Sequence, residues 1–284
     1  MDITNIFTVT PMSHNVELAA GETYTGTVMI VNPADATQDF HYKVTVAPYA
    51  VVDDEYTADF ATQSQRTQIA DWITLDEPTG VIEPNGVKKV NFTITVPETA
   101  PAGGQYAALM VSANTDTEAS EGVAVNNVFE MASVVYAHID GETVRDGAVL
   151  ENNVPGFVTA MPIRVGAMLE NNGNSHEIAQ ISLEVTSIFS ATPIYPKEGE
   201  SGVVNEVIMP ETSHYATRDI TGLSPLGIYT VTQTIDYIGE QSQVKQVVVA
   251  CPIWFMALMM ITISAIVATI VKRARKRRGR YSTI

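Results

Sequence analysis

The chain has 284 residues, 45% of them hydrophobic and 17% charged, with 32 acidic residues against 16 basic ones and one cysteine. A formal charge of −16 argues against a nucleic-acid partner, since such a surface does not neutralise phosphates, and one cysteine excludes an internal disulfide. The charge is also divided along the chain: the part before position 251 has 9 basic and 32 acidic residues, a balance of −23, and the part after it carries +7.

The opening Met1-Asp2-Ile3-Thr4 has neither the basic region nor the apolar region of a secretory signal, so a signal peptide is expected to be absent from this sequence. The next 250 or so residues suit two domains of ordinary size. They contain no long amphipathic helix pattern. Short alternating runs broken by Asn, Pro and Gly predict strands of a sandwich. Thr23 to Val31 reads as a strand closed by the turn Asn32-Pro33-Ala34-Asp35. Tyr42, Val44 and Val46 alternate with polar neighbours. Pro84-Asn85-Gly86 predicts a tight turn into the clearest strand, Val87 to Val96. There Val90, Phe92, Ile94 and Val96 share a buried face and Asn91, Thr93 and Thr95 a wet one. Thr115 to Gly122 reads as a polar loop, and Val128 to Ile139 as the strand that closes the first domain.

Beyond a boundary near Asp140-Gly141, Leu150 to Pro155 and Pro193 to Gly202 read as surface loops. Ile181, Leu183 and Val185 form an inward face opposite Ser182, Glu184 and Thr186. A weak internal repeat links the two parts. Val28-Met29-Ile30-Val31-Asn32 is matched by Ala167-Met168-Leu169-Glu170-Asn171. Pro97-Glu98-Thr99 followed by Gly104-Gln105-Tyr106 is matched by Pro210-Glu211-Thr212 followed by Gly227-Ile228-Tyr229. The order is the same in both halves, as a duplicated fold requires.

From Cys251 to Val271 the sequence is apolar and uncharged, and Lys272-Arg273-Ala274-Arg275-Lys276-Arg277-Arg278-Gly279-Arg280 follows directly. Twenty-one apolar residues suffice for a helix across ~30 Å of hydrocarbon. The basic cluster sets the tail on the cytoplasmic side and the acidic part outside. The opposite topology, a tail-anchored protein, would drive seven basic residues across the membrane. Cys251 and Trp254 mark the outer end of the anchor, and Val271, Lys272 and Arg273 the inner end.

No catalytic motif emerges. A Gly-x-Ser-x-Gly elbow, a His-Glu-x-x-His pair and a phosphate-binding glycine loop are all missing. Ser242-Gln243-Val244-Lys245 has the Ser-x-x-Lys spacing, but a strand there would aim Ser and Lys at opposite faces. His14, His41, His138, His176 and His214 have no metal-ligand spacing and read as surface or turn residues. Asp53, Asp54, Glu55 and Asp59 form the densest acidic cluster, a candidate calcium loop without the usual Asp-x-Asp-x-Asp-Gly order. Trp72 reads as core; a carbohydrate platform there would need a second aromatic, such as Tyr49 or Tyr56.

In layout the chain resembles the WxL-interacting proteins of Gram-positive cell envelopes. The likeness is carried by Asn32-Pro33-Ala34-Asp35, Trp72-Ile73-Thr74-Leu75 and Ala102-Gly103-Gly104-Gln105-Tyr106-Ala107-Ala108-Leu109 in the first half. In the second it is carried by Asn171-Asn172-Gly173-Asn174-Ser175-His176, Ile208-Met209-Pro210-Glu211-Thr212 and the strand that runs into an aromatic-rich membrane helix. The resemblance implies two immunoglobulin-like domains outside the membrane and a peptidoglycan or surface-protein partner, and it maps no functional residue onto this chain.

The expected architecture is all-β: two tandem immunoglobulin-like antiparallel β-sandwiches, residues 1–140 and 141–250, then one transmembrane α-helix, 251–271, and a basic cytoplasmic tail, 272–284. The expected role is that of a non-enzymatic, cofactor-free surface protein that holds a surface protein or cell-wall polymer near the membrane. The alternative is an envelope assembly chaperone acting by β-strand addition. A long edge strand free of inward charges and bulges distinguishes the second.

Overall fold

The computed structural model describes residues 7–36, 38–52, 55–61, 63–115, 128–190, 192–197 and 199–280. The chain forms two compact units. One comprises Met1–Gly147 with Glu170–Glu177 and Val207–His214; the other comprises Ala148–Leu169, Ile178–Glu206 and Tyr215–Ile284.

The first unit contains β1 (Thr8–Thr10), β2 (Ser13–Leu18), β3 (Thr23–Val31), β4 (Phe40–Val52), β5 (Glu55–Ala58) and a one-turn helix α1 (Ile69–Trp72). These are followed by β6 (Ile73–Leu75), β7 (Thr79–Ile82), β8 (Val87–Thr95), β9 (Gly103–Thr115) and β10 (Val128–Ile139). They make a four-stranded sheet in the order β1-β3-β8-β6 and a six-stranded sheet in the order β2-β10-β9-β4-β5, with β7 on the first part of β4. Period-two alternation explains the sandwich. Val28 and Ile30 of β3 and Val90, Phe92 and Ile94 of β8 are buried on one sheet. Tyr42 and Val44 of β4, Leu109 and Val111 of β9, and Val135, Ala137 and Ile139 of β10 meet them from the other in one continuous core. The chain enters by changing sheets: β1 pairs antiparallel with β3, and after Pro11 β2 pairs parallel with β10.

The second unit is built on β11 (Gly147–Asn153), β12 (Phe157–Val158), β13 (Ile163–Asn171), β14 (Glu177–Ser187), β15 (Pro193–Tyr195), β16 (Val203–Ile208), β17 (Thr212–Ile220), β18 (Gly227–Tyr237) and β19 (Glu240–Ala250). The helix α2 (Ile253–Arg280) follows. One sheet runs β11-β13-β17 and the other β12-β19-β18-β14-β15, with β16 on β14. Strand for strand this repeats the first topology, down to a short strand parallel to the last long one: β12 on β19, as β2 on β10. The expected pair of tandem sandwiches is therefore present, and the first has β6 and α1 in addition.

The repeated sequence signals do the same work in both copies. Asn32, at the end of β3, is buried and donates its amide to the carbonyls of Ile82 and Gln38 at 2.9 and 3.2 Å. Asn171, at the end of β13, donates to Ile208 and Ser175, both at 2.9 Å. In each Gly-x-Tyr the ring folds back over the glycine. A Cβ on Gly104 would stand 1.9 Å from the Tyr106 hydroxyl, and one on Gly227 2.6 Å from that of Tyr229.

Two segments read as loops are partly strand. Residues 150–153 belong to β11 and Pro193–Tyr195 is β15. Both lie at sheet edges and bury little, so they lack the alternation by which a strand is recognised. The Thr115 to Gly122 loop falls, after Thr115, outside the described residues.

Candidate binding edge and membrane anchor

β10 pairs with β9 along its whole length, Val128 opposite Asn114 through Ile139 opposite Gly103, without a register shift. On its other side β2 covers only Val134 to Ile139. The N–H of Val134 donates to the Met12 carbonyl at 3.0 Å, and the Ser133 hydroxyl to the Pro11 carbonyl at 2.7 Å. Strand backbone alternates, so Ala132 and Glu130 aim their N–H and C=O groups to the same side as Val134. Among the described residues no strand pairs with them there, although β1 runs close to β10. Phe129 and Met131 of this stretch are half-buried and pack against the core; Glu130 points outward. The run from Val128 to Ser133 has no proline, no bulge and no inward charge.

The corresponding strand of the second unit offers a contrast. β12 covers only Val249 and Ala250 of β19, leaving most of that edge open as well. Here, however, the exposed side chains include Gln243 and Lys245, and the half-buried positions include Ser242 and Gln246. The amide of Gln246 also bonds the carbonyl of Val247 at 3.0 Å. Lysine and self-satisfied polar groups discourage strand pairing. The open stretch of β10 has neither a lysine nor an inward amide, and its one charge, Glu130, points outward.

On the outer face of the same sheet Tyr136 of β10 meets three rings: Tyr49 at 6.2 Å, Tyr106 at 5.9 Å and His176 at 5.4 Å. The Tyr106 hydroxyl accepts the His176 N–H at 2.8 Å. Burial raises the pKa of all three tyrosines, and at Tyr49 the neighbouring Tyr136 adds to it. Burial lowers that of His176 against an opposing contribution from Glu177. These phenols therefore stay neutral at ordinary pH.

The candidate residues read from the sequence are dispersed. Asp53 and Asp54 lie outside the described residues; Glu55 begins β5, and Asp59 accepts the Ala61 N–H at 2.9 Å. Trp72 is half-buried against the core at the end of α1, and Ser242 and Lys245 lie on β19. The histidines depart from the surface reading. His214 is buried against Tyr56, His14 packs edge-on to Phe92, and His138 and His176 contact Ser175 and Tyr106; His41 is exposed. Their positions depend on which loops fold over them, information that spacing along the chain does not carry. Phe129 and Met131 were legible as strand residues, but not as part of a free edge.

Cys251 is a free thiol at the exit from the second sandwich, and its N–H donates to the Val158 carbonyl at 2.9 Å. α2 starts two residues later and continues without a break to Arg280, through Trp254, Val271, Lys272 and Arg273. Its apolar stretch, Ile253–Arg273, is long enough to cross a bilayer and is not buried against the rest of the protein. The hydroxyls of Thr262 and Thr269 donate back to the carbonyls of Met259 and Ala265, at 2.8 and 2.7 Å. In hydrocarbon an unpaired hydroxyl would be costly, so these bonds suit that environment.

No protein-family model matches the sequence, and no curated protein matches it. Similar solved structures include the CsuC–CsuE chaperone–tip adhesion subunit complex of Acinetobacter baumannii, at 14% identity over 84% of this chain and 97% of that one, TM-score 0.41. Another is the SafA pilin–SafB chaperone complex of Salmonella enterica, at 12% identity over 88% and 98%, TM-score 0.43. The E. coli chaperone DraB matches at 10% identity over 84% and 96%, TM-score 0.39. The two-sandwich architecture rests on the sheets above and not on these loose likenesses.

Proposed function

We propose that this chain is a membrane-anchored, non-enzymatic envelope protein that holds a partner protein by β-strand addition, as an assembly chaperone does. The free half of β10 carries this reading. It combines aligned, unpaired backbone groups with apolar side chains at alternate positions, the two requirements for pairing with an extended segment. The anchor supplies the location. The 21 uncharged residues from Cys251 to Val271, followed by seven basic ones, support a topology with the acidic sandwiches outside and the tail in the cytoplasm. The envelope setting follows the resemblance to WxL-interacting proteins.

Replacing Ala132 by proline removes an outward N–H without touching the core. In the full chain, a photo-cross-linker at Glu130 should give a discrete adduct in the native envelope, and Ala132→Pro should reduce it at least about tenfold, roughly 1.4 kcal/mol. Lys245→Pro on β19 should leave it unchanged. An adduct indifferent to Ala132→Pro would refute strand addition at this edge.

A cell-wall polymer remains a second reading because of a separate cleft in the first unit. It encloses about 650 Å³ and is lined by Trp72, Phe60, Gln65, Gln68 and Asp71, among others. Phe60 is exposed and supplies the second aromatic that a sugar platform needs, in place of Tyr49 or Tyr56. If the cleft holds glycan, Phe60→Ala with Gln68→Ala should weaken sedimentation of the full chain with purified peptidoglycan. Unchanged sedimentation would remove this reading.

A further inference from the structure

One end of the second sandwich is poor in charge: only Lys197, against Gly222, and the Arg164–Asp219 ion pair, one residue inside β13 and β17, are seen there among the described residues. Three connections gather there. Residues 154–162 carry β12, which pairs with the last two residues of β19. Residues 188–190 leave β14 beside β18, where the Ile188 N–H donates to the Ile228 carbonyl. Residues 221–226 lead from β17 into Gly227, which pairs with Ala250. In a chain with 48 charged residues, not one lies in these three segments. Their large exposed side chains are apolar, Phe157, Ile188 and Leu226 and above all Phe189, which is 89% exposed, with small polar residues such as Thr159, Ser190 and Thr221 among them. A soluble domain rarely leaves a phenylalanine so bare without a use for it.

The chain leaves for α2 from this same end. Ala250 ends β19 and Ile253 begins the helix, so at ~3.5 Å per residue the two are at most about 10 Å apart. The Cys251–Val158 hydrogen bond holds the exit against β12. The polar layer on each side of the hydrocarbon is only ~5–7 Å thick. A helix that starts in the membrane at Ile253 therefore brings these loops to the lipid interface. The other end, the β18–β19 hairpin, has Asp236 and Glu240 and lies about 35 Å along the strands.

We infer that this apolar, charge-poor end of the second sandwich is a membrane-contact surface, with Phe189, Phe157 and Leu226 inserted among the lipid headgroups beside the helix. This rests on the membrane reading of α2. The partner is the bilayer itself: apolar, aromatic side chains suit its interfacial layer, Lys197 suits the headgroups, and the one acid nearby, Asp219, is paired with Arg164. The domain is thereby seated on the membrane at more than the one point where the chain enters.

The test uses the full chain with Cys251→Ser, reconstituted in phosphatidylcholine vesicles containing nitroxide-labelled lipid. A polarity-sensitive dye is attached at Phe189→Cys, Leu226→Cys, Glu240→Cys or Ile261→Cys, one site at a time. Dye at 189 and 226 should lose at least about half its fluorescence to the nitroxide, as should dye at 261 within the helix, whereas dye at 240 should lose almost none. Quenching at 261 without quenching at 189 and 226 overturns the contact surface and leaves the anchor standing. No quenching at 261 overturns the anchor, and the contact surface with it.

Discussion

His176 and His14 have pKa values lowered by burial below the ordinary 6.5, so the folded chain binds fewer protons at these sites than the unfolded chain. Their contribution to stability is therefore intact above pH 6.5 and is lost as pH falls from there through the lowered values. Urea unfolding should show a lower midpoint at about pH 5 than at about pH 7.5, and His176→Gln should make that drop smaller. A drop of equal size in the variant would exclude His176 as a source. Asn32 makes a different kind of contribution, since it satisfies two backbone carbonyls from a buried position. Asn32→Ala should cost about 2–3 kcal/mol in the same measurement, because both carbonyls would lose their donor inside the protein. The sequence identified Asn32 and Asn171 as a repeated pair, since a polar residue ending an apolar strand stands out. It did not reveal the enclosure of His214 or His176, whose neighbours are distant in sequence.

At the level of elements, β3, β8 and β10 could be read directly because each has one dry face and one wet face. β11 and β15 could not, because edge strands bury little on either face. That β10 is half free was also hidden, since pairing with β2 joins residues more than a hundred positions apart. A charge placed on its inward face tests the role of this edge. Met131→Lys should abolish the Glu130 cross-link by putting an unpaired cation where an incoming strand must close. The folded chain should lose only about 1–2 kcal/mol, because Met131 is half-buried and a lysine stem can reach water. Retention of the adduct in a folded Met131→Lys protein would mean that pairing occurs elsewhere.

Across the whole molecule, hydropathy made the long apolar C-terminal helix plain, and the duplication was visible in three matched signals. The extent of each unit was less so. The first draws on Glu170–Glu177 and Val207–His214, segments that come after the second sandwich has begun. Gly104, for example, donates its N–H to the Asn174 carbonyl at 2.8 Å. A fragment ending at Gly147 keeps the large core of the first sandwich and should fold cooperatively, but with a lower melting temperature than the same sandwich in the full chain. Calorimetry of the fragment and the full chain makes the comparison, and equal melting temperatures would show that the later segments add nothing. Protease applied to intact cells should remove the acidic sandwiches and spare a small basic fragment; protection of the sandwiches would reverse the topology.

The meeting of β2 with β10 also sets a ruler. Ser13 arrives opposite Val134, so a segment added to β10 as proposed would stop at Ser133, where the chain enters from Pro11 and Met12. On the strand-addition reading, that entry point is a fixed stop: an added strand would be pinned at Ser133, and its register would be counted from there.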